Sequence, residues 1–163
     1  EKRKPDKTTA DSSATTKATT ENTTEAPKKT YSCTISIGCS TIFDNLELLR
    51  PEKKDYVPDD GVILGTVTAT FEEGDTVFEV LKSVCRDYGI QLEYSWTPMY
   101  GSYYIEGIHN LYEFDCGDGS GWMYSVKGWF PNYGCSSYEL KQGDVIKWLY
   151  TCDLGADVGS EMH

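Results

Sequence analysis

Three of the four tryptophans and three of the six cysteines fall between Tyr112 and Asp157, in YEFDCGDGSGWMYSVKGWFPNYGCSSYELKQGDVIKWLYTCDLGAD. Two apolar runs in this stretch, residues 122–126 and 129–133, meet at Lys127-Gly128, a dipeptide that suits a tight hairpin turn. A second turn signal at residues 141–144 leads into residues 145–150, which are apolar on both alternating faces. Because such a run is too apolar for a sheet edge, we expect a hairpin followed by a central strand.

The sequence before this stretch alternates between strand and helix signals. Residues 33–39, 65–71, 91–96 and 103–108 have strand patterns, with a short helical segment at 41–49 and a loop at 52–61. The main helix is expected to begin at Thr76, which forms a capping box with Glu79, and to end at Gly89. One main helix crossing a mixed sheet predicts an α+β domain of the β-grasp type.

The N-terminal residues differ in composition from the rest. Residues 1–30 contain no Phe, Trp, Tyr, Leu, Ile, Val or Met and are rich in Thr, Ser and Lys. A segment with nothing to bury cannot offset its own ordering entropy. We therefore expect a disordered stalk over residues 1–30 and one folded domain over residues 31–163. A Thr-rich spacer is typical of a cell-surface stalk, with Asn22 in a glycosylation triplet, and an ordinary flexible tail is the alternative.

The charge of the folded part excludes one class of partner. Residues 31–163 carry 8 of the 15 basic and 21 of the 26 acidic residues, a formal net charge of −13. Such a domain repels nucleic acid and anionic lipid surfaces. We interpret the charge as serving solubility in preference to an acidic docking site.

The cysteine pattern indicates a compartment. Six cysteines without CxxC or His-rich spacing favour disulfides, and hence an extracellular, cell-surface protein that is secreted or lipid-anchored. The sequence has no transmembrane segment, so any signal peptide or N-terminal lipid anchor is expected to lie outside it. In a β-grasp topology the first and last long strands run in parallel, which places two cysteines at matching ends. Of fifteen connectivities, the expected pairs are Cys39–Cys152, Cys116–Cys135 and Cys33–Cys85.

An aromatic loop is the main candidate for binding. A large flat ligand needs apolar platforms and small residues for close approach, and aromatic faces supply contact area at little entropic cost. The alternative is that some of these rings pack the sheet, Trp96 and Tyr104 above all, because strand side chains alternate between faces. The residues with the required composition are Trp96, Met99, Tyr100, Gly101, Tyr103 and Tyr104.

Four motifs together resemble a known family. Residues 74–81 (GDTVFEVL), 97–103 (TPMYGSY), 121–126 (GWMYSV) and 141–144 (KQGD) are similar in order and spacing to the C-terminal domain of transcobalamin and intrinsic factor, the vertebrate cobalamin carriers. The similarity is closer still to bacterial surface lipoproteins that carry this domain, and it covers residues 33–159.

The resemblance implies a β-grasp domain that binds cobalamin or a related corrinoid for uptake. In the vertebrate carriers cobalamin lies between this domain and a helical α/α domain, and no such partner domain is evident in the sequence. The alternative is a surface adhesion domain that binds a partner protein or glycan through the same loop. The implied loop and hairpin contacts, together with the loop's first tryptophan, are Trp96, Pro98, Met99, Tyr100, Gly101, Ser102, Tyr103, Trp122 and Trp129.

Catalytic and metal chemistry find little support in the sequence. An imidazole can ligate the cobalt of a corrinoid, but a lone histidine in a turn, as His109 is, is better interpreted as a surface residue. EF-hand spacing is absent, and no residue set for a zinc site or a catalytic triad is evident. We therefore expect no enzyme, no metal site and no required cofactor. The carboxylates weighed as calcium ligands, and interpreted instead as solvated, are Asp115, Asp118, Asp153 and Asp157.

Overall fold

A computed structural model of the chain describes residues 29–160. The predicted stalk over residues 1–30 lies outside the described residues except for its last two positions, and Asn22 and His163 lie outside them too. The first strand begins at Thr30, next to the predicted start of the folded domain.

One helix and seven strands make up the regular structure of the described chain. The helix, α1, is Val77–Tyr88. The strands are β1 (Thr30–Gly38), β2 (Val62–Glu72), β3 (Leu92–Thr97), β4 (Ser102–Ile108), β5 (Leu111–Tyr112), β6 (Gly121–Val126) and β7 (Val145–Thr151).

The helix begins and ends where the sequence predicts. Thr76 and Glu79 form the capping box, in which the Thr76 amide donates to Glu79 Oε1 at 2.7 Å. Gly89 ends the helix in the left-handed conformation, at φ 68°, which costs glycine little because it has no Cβ. None of the described helices is both long and apolar enough to cross a lipid bilayer.

The predicted α+β class with one main helix is confirmed, and the strands form two sheets, of which the larger is mixed. The larger sheet has the order β2-β1-β7-β6, and β3, β4 and β5 form the smaller one in that order. β1 and β7 are parallel neighbours, with Thr34 opposite Val145 and Gly38 opposite Leu149. The last strand is therefore internal to its sheet, as its apolar sequence predicts.

A single apolar core joins these elements. Ile35 and Ile37 of β1, Leu81 of α1 and Ile146 of β7 are all buried in it. Each such side chain contributes about 1.5–3 kcal/mol through the apolar surface that it removes from water. Burial alternates along β7, with Val145 and Lys147 outside, so β7 is internal to the sheet but covered on one face only.

Three local predictions need correction. The predicted helical segment at 41–49 is two 3₁₀ helices, Ser40–Asp44 and Leu46–Leu48, and the predicted loop at 52–61 contains a third, Pro51–Tyr56. The turn at Lys127-Gly128 forms, but residues 129–133 do not continue as a strand. Only Trp129 bridges back to Val126, and β6 pairs with β7 instead. The second arm of the predicted hairpin is therefore wrong.

The predicted disulfides are not formed in the structure. All six cysteines are buried free thiols, so the pairs Cys39–Cys152, Cys116–Cys135 and Cys33–Cys85 are absent from it. The expected partners also differ from the observed neighbours. The Cys152 thiol is in hydrogen-bonding contact with the Cys116 thiol, and it lies 3.7 Å from Thr41 Oγ1. The Cys135 thiol instead points to the Tyr103 carbonyl, at 3.8 Å, which separates it from its predicted partner.

Candidate functional site: an aromatic cavity between the two sheets

A cavity of about 460 Å³ lies between the hairpin of β3 and β4 and the end of the larger sheet. This volume is within the usual range for small-molecule sites, about 300–1,000 Å³. Three parts of the chain form its walls, the β3–β4 hairpin, strands β6 and β7, and the segment from Pro131 to Cys135. The lining residues are Thr97, Tyr100, Ser102, Tyr103, Tyr104, Ile105, Trp122, Met123, Tyr124, Pro131, Asn132, Tyr133, Gly134, Cys135 and Trp148.

The tip of the β3–β4 hairpin projects into solvent at the mouth of the cavity. A tight turn closes it, in which the Tyr100 amide donates to the Thr97 carbonyl at 3.1 Å. Gly101 adopts φ 58° there, a conformation that favours glycine. Met99 is 82% exposed and Tyr100 73% exposed, although large apolar side chains usually pack inward. These two residues of the predicted binding loop therefore face solvent.

Tyr103 anchors the hairpin to the helix. Its ring stacks on Phe78 of α1, with centroids 4.5 Å apart and planes 9° apart. Trp96, which pairs with Tyr103 across the hairpin, contacts its ring edge to face at 5.1 Å. Stacked and edge-to-face aromatic pairs contribute about 0.5–1.5 kcal/mol beyond their burial. These ring contacts therefore hold the hairpin against α1.

The segment from Pro131 to Cys135 forms the opposite wall and is tied to its surroundings by hydrogen bonds at Tyr133 and at Ser136, the residue that follows it. The Tyr124 hydroxyl donates to the Tyr133 carbonyl at 2.8 Å. The Ser102 and Ser136 hydroxyls are hydrogen bonded at 2.7 Å, and Ser136 Oγ also accepts the Tyr103 amide at 3.0 Å. These bonds tie the irregular segment to β6 and to the start of β4, so the cavity is preformed.

Strands β6 and β7 supply the floor. Tyr124 and Trp148 are opposite each other across the two strands, with ring centroids 5.4 Å apart. Trp122 also lines the cavity, and its indole Nε1 donates to the Leu111 carbonyl at 2.8 Å. Trp148 is 2% exposed, yet its Nε1 has no hydrogen-bond partner. The floor is thus apolar apart from this one unused donor.

The cavity is uncharged. Its lining, which lies wholly within the described residues, includes no Asp, Glu, Lys, Arg or His. Burial raises the pKa of the Cys135 thiol to about 12, and burial also raises the pKa of the Tyr124 phenol. The pKa of Tyr104 is raised by burial and by its hydrogen bond to Glu113. All three groups are therefore protonated and neutral near pH 7.

Four of the predicted site residues come together in the cavity lining. Tyr100, Ser102, Tyr103 and Trp122 line the cavity. The neighbouring turn residues Pro98, Met99 and Gly101 do not line it, and neither does Trp96, which is 52% exposed. The interpretation of Trp96 and Tyr104 as rings buried in the sheet is wrong, because both are exposed. Trp129 is exposed outside the lining, with its ring 6.3 Å from that of Tyr133.

Two parts of the cavity lining, the segment from Pro131 to Cys135 and Trp148, are absent from the predicted site. The sequence predicts a second hairpin arm over residues 129–133 and a central strand that includes Trp148. Two signals point to the observed arrangement. Pro131 lacks an amide to donate to a sheet, and Pro131 and Gly134 bracket Asn132, a composition typical of irregular structure.

The residues weighed as metal ligands lie elsewhere. His109 occupies a turn at φ 57°, with its ring edge-on to Tyr56, and is not part of the cavity lining. Asp115 is buried, so the prediction that it is solvated is wrong. Its carboxylate pairs with Arg50 Nε at 3.4 Å and with Lys53 Nζ at 3.3 Å. Asp157 accepts the Cys152 amide at 2.8 Å. Across residues 29–160, no group of three or more His, Cys, Asp or Glu side chains has a geometry that could hold a metal ion.

Comparison with known proteins yields one match to a family and two informative structures. Residues 74–151 match the family described as a domain of unknown function, DUF4430, and the match includes every residue that lines the cavity. No curated protein matches the sequence. The structure of haptocorrin in complex with Cbi is similar to this chain with a TM-score of 0.52 and 16% sequence identity.

The likeness to haptocorrin concerns a part of that protein. It covers 80% of this chain and 27% of the haptocorrin chain, so this chain spans about a quarter of the protein it matches. A protein of Ruminococcus gnavus described as a candidate metal-binding protein gives a TM-score of 0.43 at 14% identity, over 74% of this chain and 96% of its own. At 16% identity the likeness to haptocorrin concerns the fold alone, and at that level it supports the resemblance to the cobalamin carriers: the described domain has a haptocorrin-like fold.

Proposed function

We propose that this domain binds a flat, largely apolar small molecule in the aromatic cavity. The observation that carries the proposal is the cavity itself, preformed, uncharged and lined by aromatic rings from two sheets. A site of this kind needs few polar groups, because apolar burial supplies most of the binding free energy. The hydrogen bonds that hold the second wall keep the ordering cost of binding low.

A corrinoid is the ligand that we propose first. Haptocorrin, solved in complex with Cbi, supports this choice through its similar fold. A macrocycle would place one edge in the cavity and rest a face on Tyr100 and Met99, whose exposure leaves them available for contact. Because this chain spans only about a quarter of haptocorrin, a second protein or domain would cover the outer face of the ligand.

We also propose that the domain captures its ligand outside the cell and does not transform it. The support for the extracellular position is in the sequence, in the Thr-rich composition of residues 1–30. The support for capture without chemistry is the neutral lining, in which the Cys135 thiol is held protonated by burial and is therefore a poor nucleophile.

Titration calorimetry of residues 29–160 with cyanocobalamin and with dicyanocobinamide tests the proposal. We expect saturable heat with at least one of the two, and co-elution of the coloured ligand in gel filtration. Tyr100→Ala should weaken binding at least tenfold, about 1.4 kcal/mol, since it removes a ring from the mouth of the cavity. The matched control is Tyr88→Ala, an exposed tyrosine at the end of α1 that should leave affinity unchanged.

Absence of heat at hundreds of micromolar of both ligands would remove the corrinoid from the proposal. Equal losses in the two tyrosine variants would show that binding does not use the cavity. Thermal unfolding of both variants is the accompanying check, because a loss of affinity counts only where the variant remains folded.

One observation favours adhesion as a second candidate. Trp96, Met99 and Tyr100 are all exposed on one hairpin, an arrangement on which the faces of glycan rings can stack. Under this alternative, Trp96→Ala weakens retention on an immobilised glycan. Under cavity binding it leaves the affinity for a cavity ligand unchanged, because Trp96 does not line the cavity.

A further inference from the structure

The indole nitrogen of Trp148 is an unusual group for a protein interior. Trp148 lines the cavity and is 2% exposed. Among the side chains of residues 29–160, its Nε1 is the one buried nitrogen or oxygen that has no hydrogen-bond partner. Buried donors are normally paired, and an exception calls for an explanation.

The neighbouring aromatic residues show that the fold can satisfy such groups. On the same pair of strands, Trp122 Nε1 donates to the Leu111 carbonyl, the Tyr124 hydroxyl to the Tyr133 carbonyl, and the Tyr150 hydroxyl to the Tyr112 carbonyl, each at 2.8 Å. Three of the four polar aromatic side chains in this layer thus find a backbone acceptor. The fourth, Trp148, has no acceptor.

Two other polar side chains of the cavity lining are already hydrogen bonded within the protein. Ser102 is hydrogen bonded to Ser136, and Tyr124 to Tyr133. With no charged residue in the lining, nothing in it offsets the desolvation of a charged ligand. An anion has the further disadvantage of the net negative charge of the chain, −11.

We infer that the ligand of this cavity is an uncharged ring compound that presents a carbonyl-type acceptor, such as an amide oxygen, to Trp148 Nε1. The inference rests on the proposed function, because it specifies the chemistry of the molecule that occupies the same cavity. It assigns Trp148 as the residue that selects among flat ligands, since its Nε1 is the one buried side-chain donor of the described residues without a partner, whereas the donors of Trp122 and Tyr124 are already bonded. A ligand without the acceptor leaves the Trp148 donor unpaired.

Three small probes that share one ring separate the components of this inference. Benzamide has the ring and a neutral acceptor, toluene has the ring alone, and benzoate has the ring with a charged acceptor. Each is titrated into ¹⁵N-labelled protein, and the indole and backbone amide resonances are followed by NMR. The indole resonance of Trp148 is assigned from its loss in Trp148→Phe.

We expect benzamide to move the Trp148 indole proton downfield and toluene to leave it in place, while both shift amides along the cavity wall. Benzoate should bind more weakly than benzamide. In Trp148→Phe the ratio of benzamide to toluene affinity should fall about fivefold to tenfold, the value of one hydrogen bond of ordinary strength. Trp96→Phe, at a tryptophan outside the cavity, should leave the ratio unchanged.

The inference is overturned if benzamide shifts the cavity amides without moving the indole resonance, or if benzoate binds as well as benzamide. Should Trp148→Phe fail to fold, the Trp148 indole resonance is assigned by through-bond NMR experiments on the unaltered protein, and the titration of that protein still decides the question. If no probe shifts any cavity resonance, the proposed small-molecule site is itself wrong and the inference falls with it. The two failures are therefore distinguishable.

Discussion

Gly134 is the point at which the two walls of the cavity come closest. Its backbone, at φ −67° and ψ 158°, is one that alanine adopts without strain. A Cβ added there would lie 2.5 Å from Ser102 Cβ and closer still to Ser102 Oγ. Ser102 is buried and hydrogen bonded, so it has little room to move. Gly134→Ala must therefore push β4 and the segment from Pro131 to Cys135 apart.

The expected cost of Gly134→Ala has two parts. Forcing an extra methyl into a packed site costs about 1–3 kcal/mol. Losing the hydrogen bond between Ser102 and Ser136 adds about 0.5–1.5 kcal/mol. We expect the free energy of unfolding to fall by about 2–4 kcal/mol, as measured by urea denaturation followed through tryptophan fluorescence. The affinity of any cavity ligand should fall as well.

Two further variants isolate the collision. Gly65→Ala, in β2, meets no atom within 4 Å and has no positive φ, so its free energy of unfolding should change by less than about 1 kcal/mol. Ser102→Gly combined with Gly134→Ala removes the clashing side chain, and the pair should be less destabilised than the sum of the single changes by at least about 1 kcal/mol. A Gly134→Ala protein as stable as the parent, or strictly additive changes, would refute the reasoning.

Three other predictions follow from the fold. Thr76→Ala removes one side of the capping box and should lower the free energy of unfolding by about 1 kcal/mol, as measured in urea; an unchanged midpoint would show that the cap contributes nothing. Lys127→Asn should raise the urea midpoint slightly, because Lys127 holds a positive φ of 53° that asparagine tolerates better, and a lower midpoint would contradict this. Burial raises the pKa of Cys85 and of Cys135 to about 12, against about 8.5 for an unfolded thiol, so the unfolded chain loses these protons first. The resulting stability is fully present below pH about 8.5, and above it the free energy of unfolding falls by about 1.4 kcal/mol per pH unit for each reduced thiol, towards pH 12. Between pH 8 and pH 10 the reduced Cys85→Ala protein should therefore lose less free energy of unfolding than the reduced parent. Equal losses in the two proteins would contradict the assignment.

Local chemistry made the helix predictable. The capping residues Thr76 and Glu79, the helical spacing of apolar residues and Gly89 all act within one element, so the sequence pattern contains the whole cause. The parallel pairing of β1 with β7 was also predictable, because the order of strand and helix signals indicates a β-grasp topology.

Contacts between distant residues explain what the sequence could not predict. Residues 129–133 have an apolar composition that suits a strand, but the Tyr124 hydroxyl binds the Tyr133 carbonyl and the segment turns away from β6. The hydrogen bond that closes the cavity joins Ser102 to Ser136, and no pattern of apolar spacing specifies such a pair. The aromatic loop was therefore found from composition, while the wall that faces it was not.

The candidate role of Trp148 in ligand binding could not be predicted from the sequence. A tryptophan in an apolar strand is correctly predicted to be buried, and that is all the pattern can indicate. Whether its nitrogen has a partner depends on which carbonyls the surrounding loops bring near it. Trp122 and Trp148 are both on sheet strands, yet one has an acceptor in Leu111 and the other has none.

The parallel alignment of β1 with β7 has a consequence for how the chain acquires its structure. Thr34, near the start of the domain, has Val145 as its partner, near the end. A ribosome or a membrane channel that releases the N-terminus first delivers β1 long before the strand that must lie beside it. Until β7 emerges, one edge of β1 has no neighbour, and pairings between such distant segments form slowly. The larger sheet is therefore completed only when nearly the whole domain has been released. Until then the chain stays extended enough to pass through a channel, and the addition of β7 is the step that completes the fold.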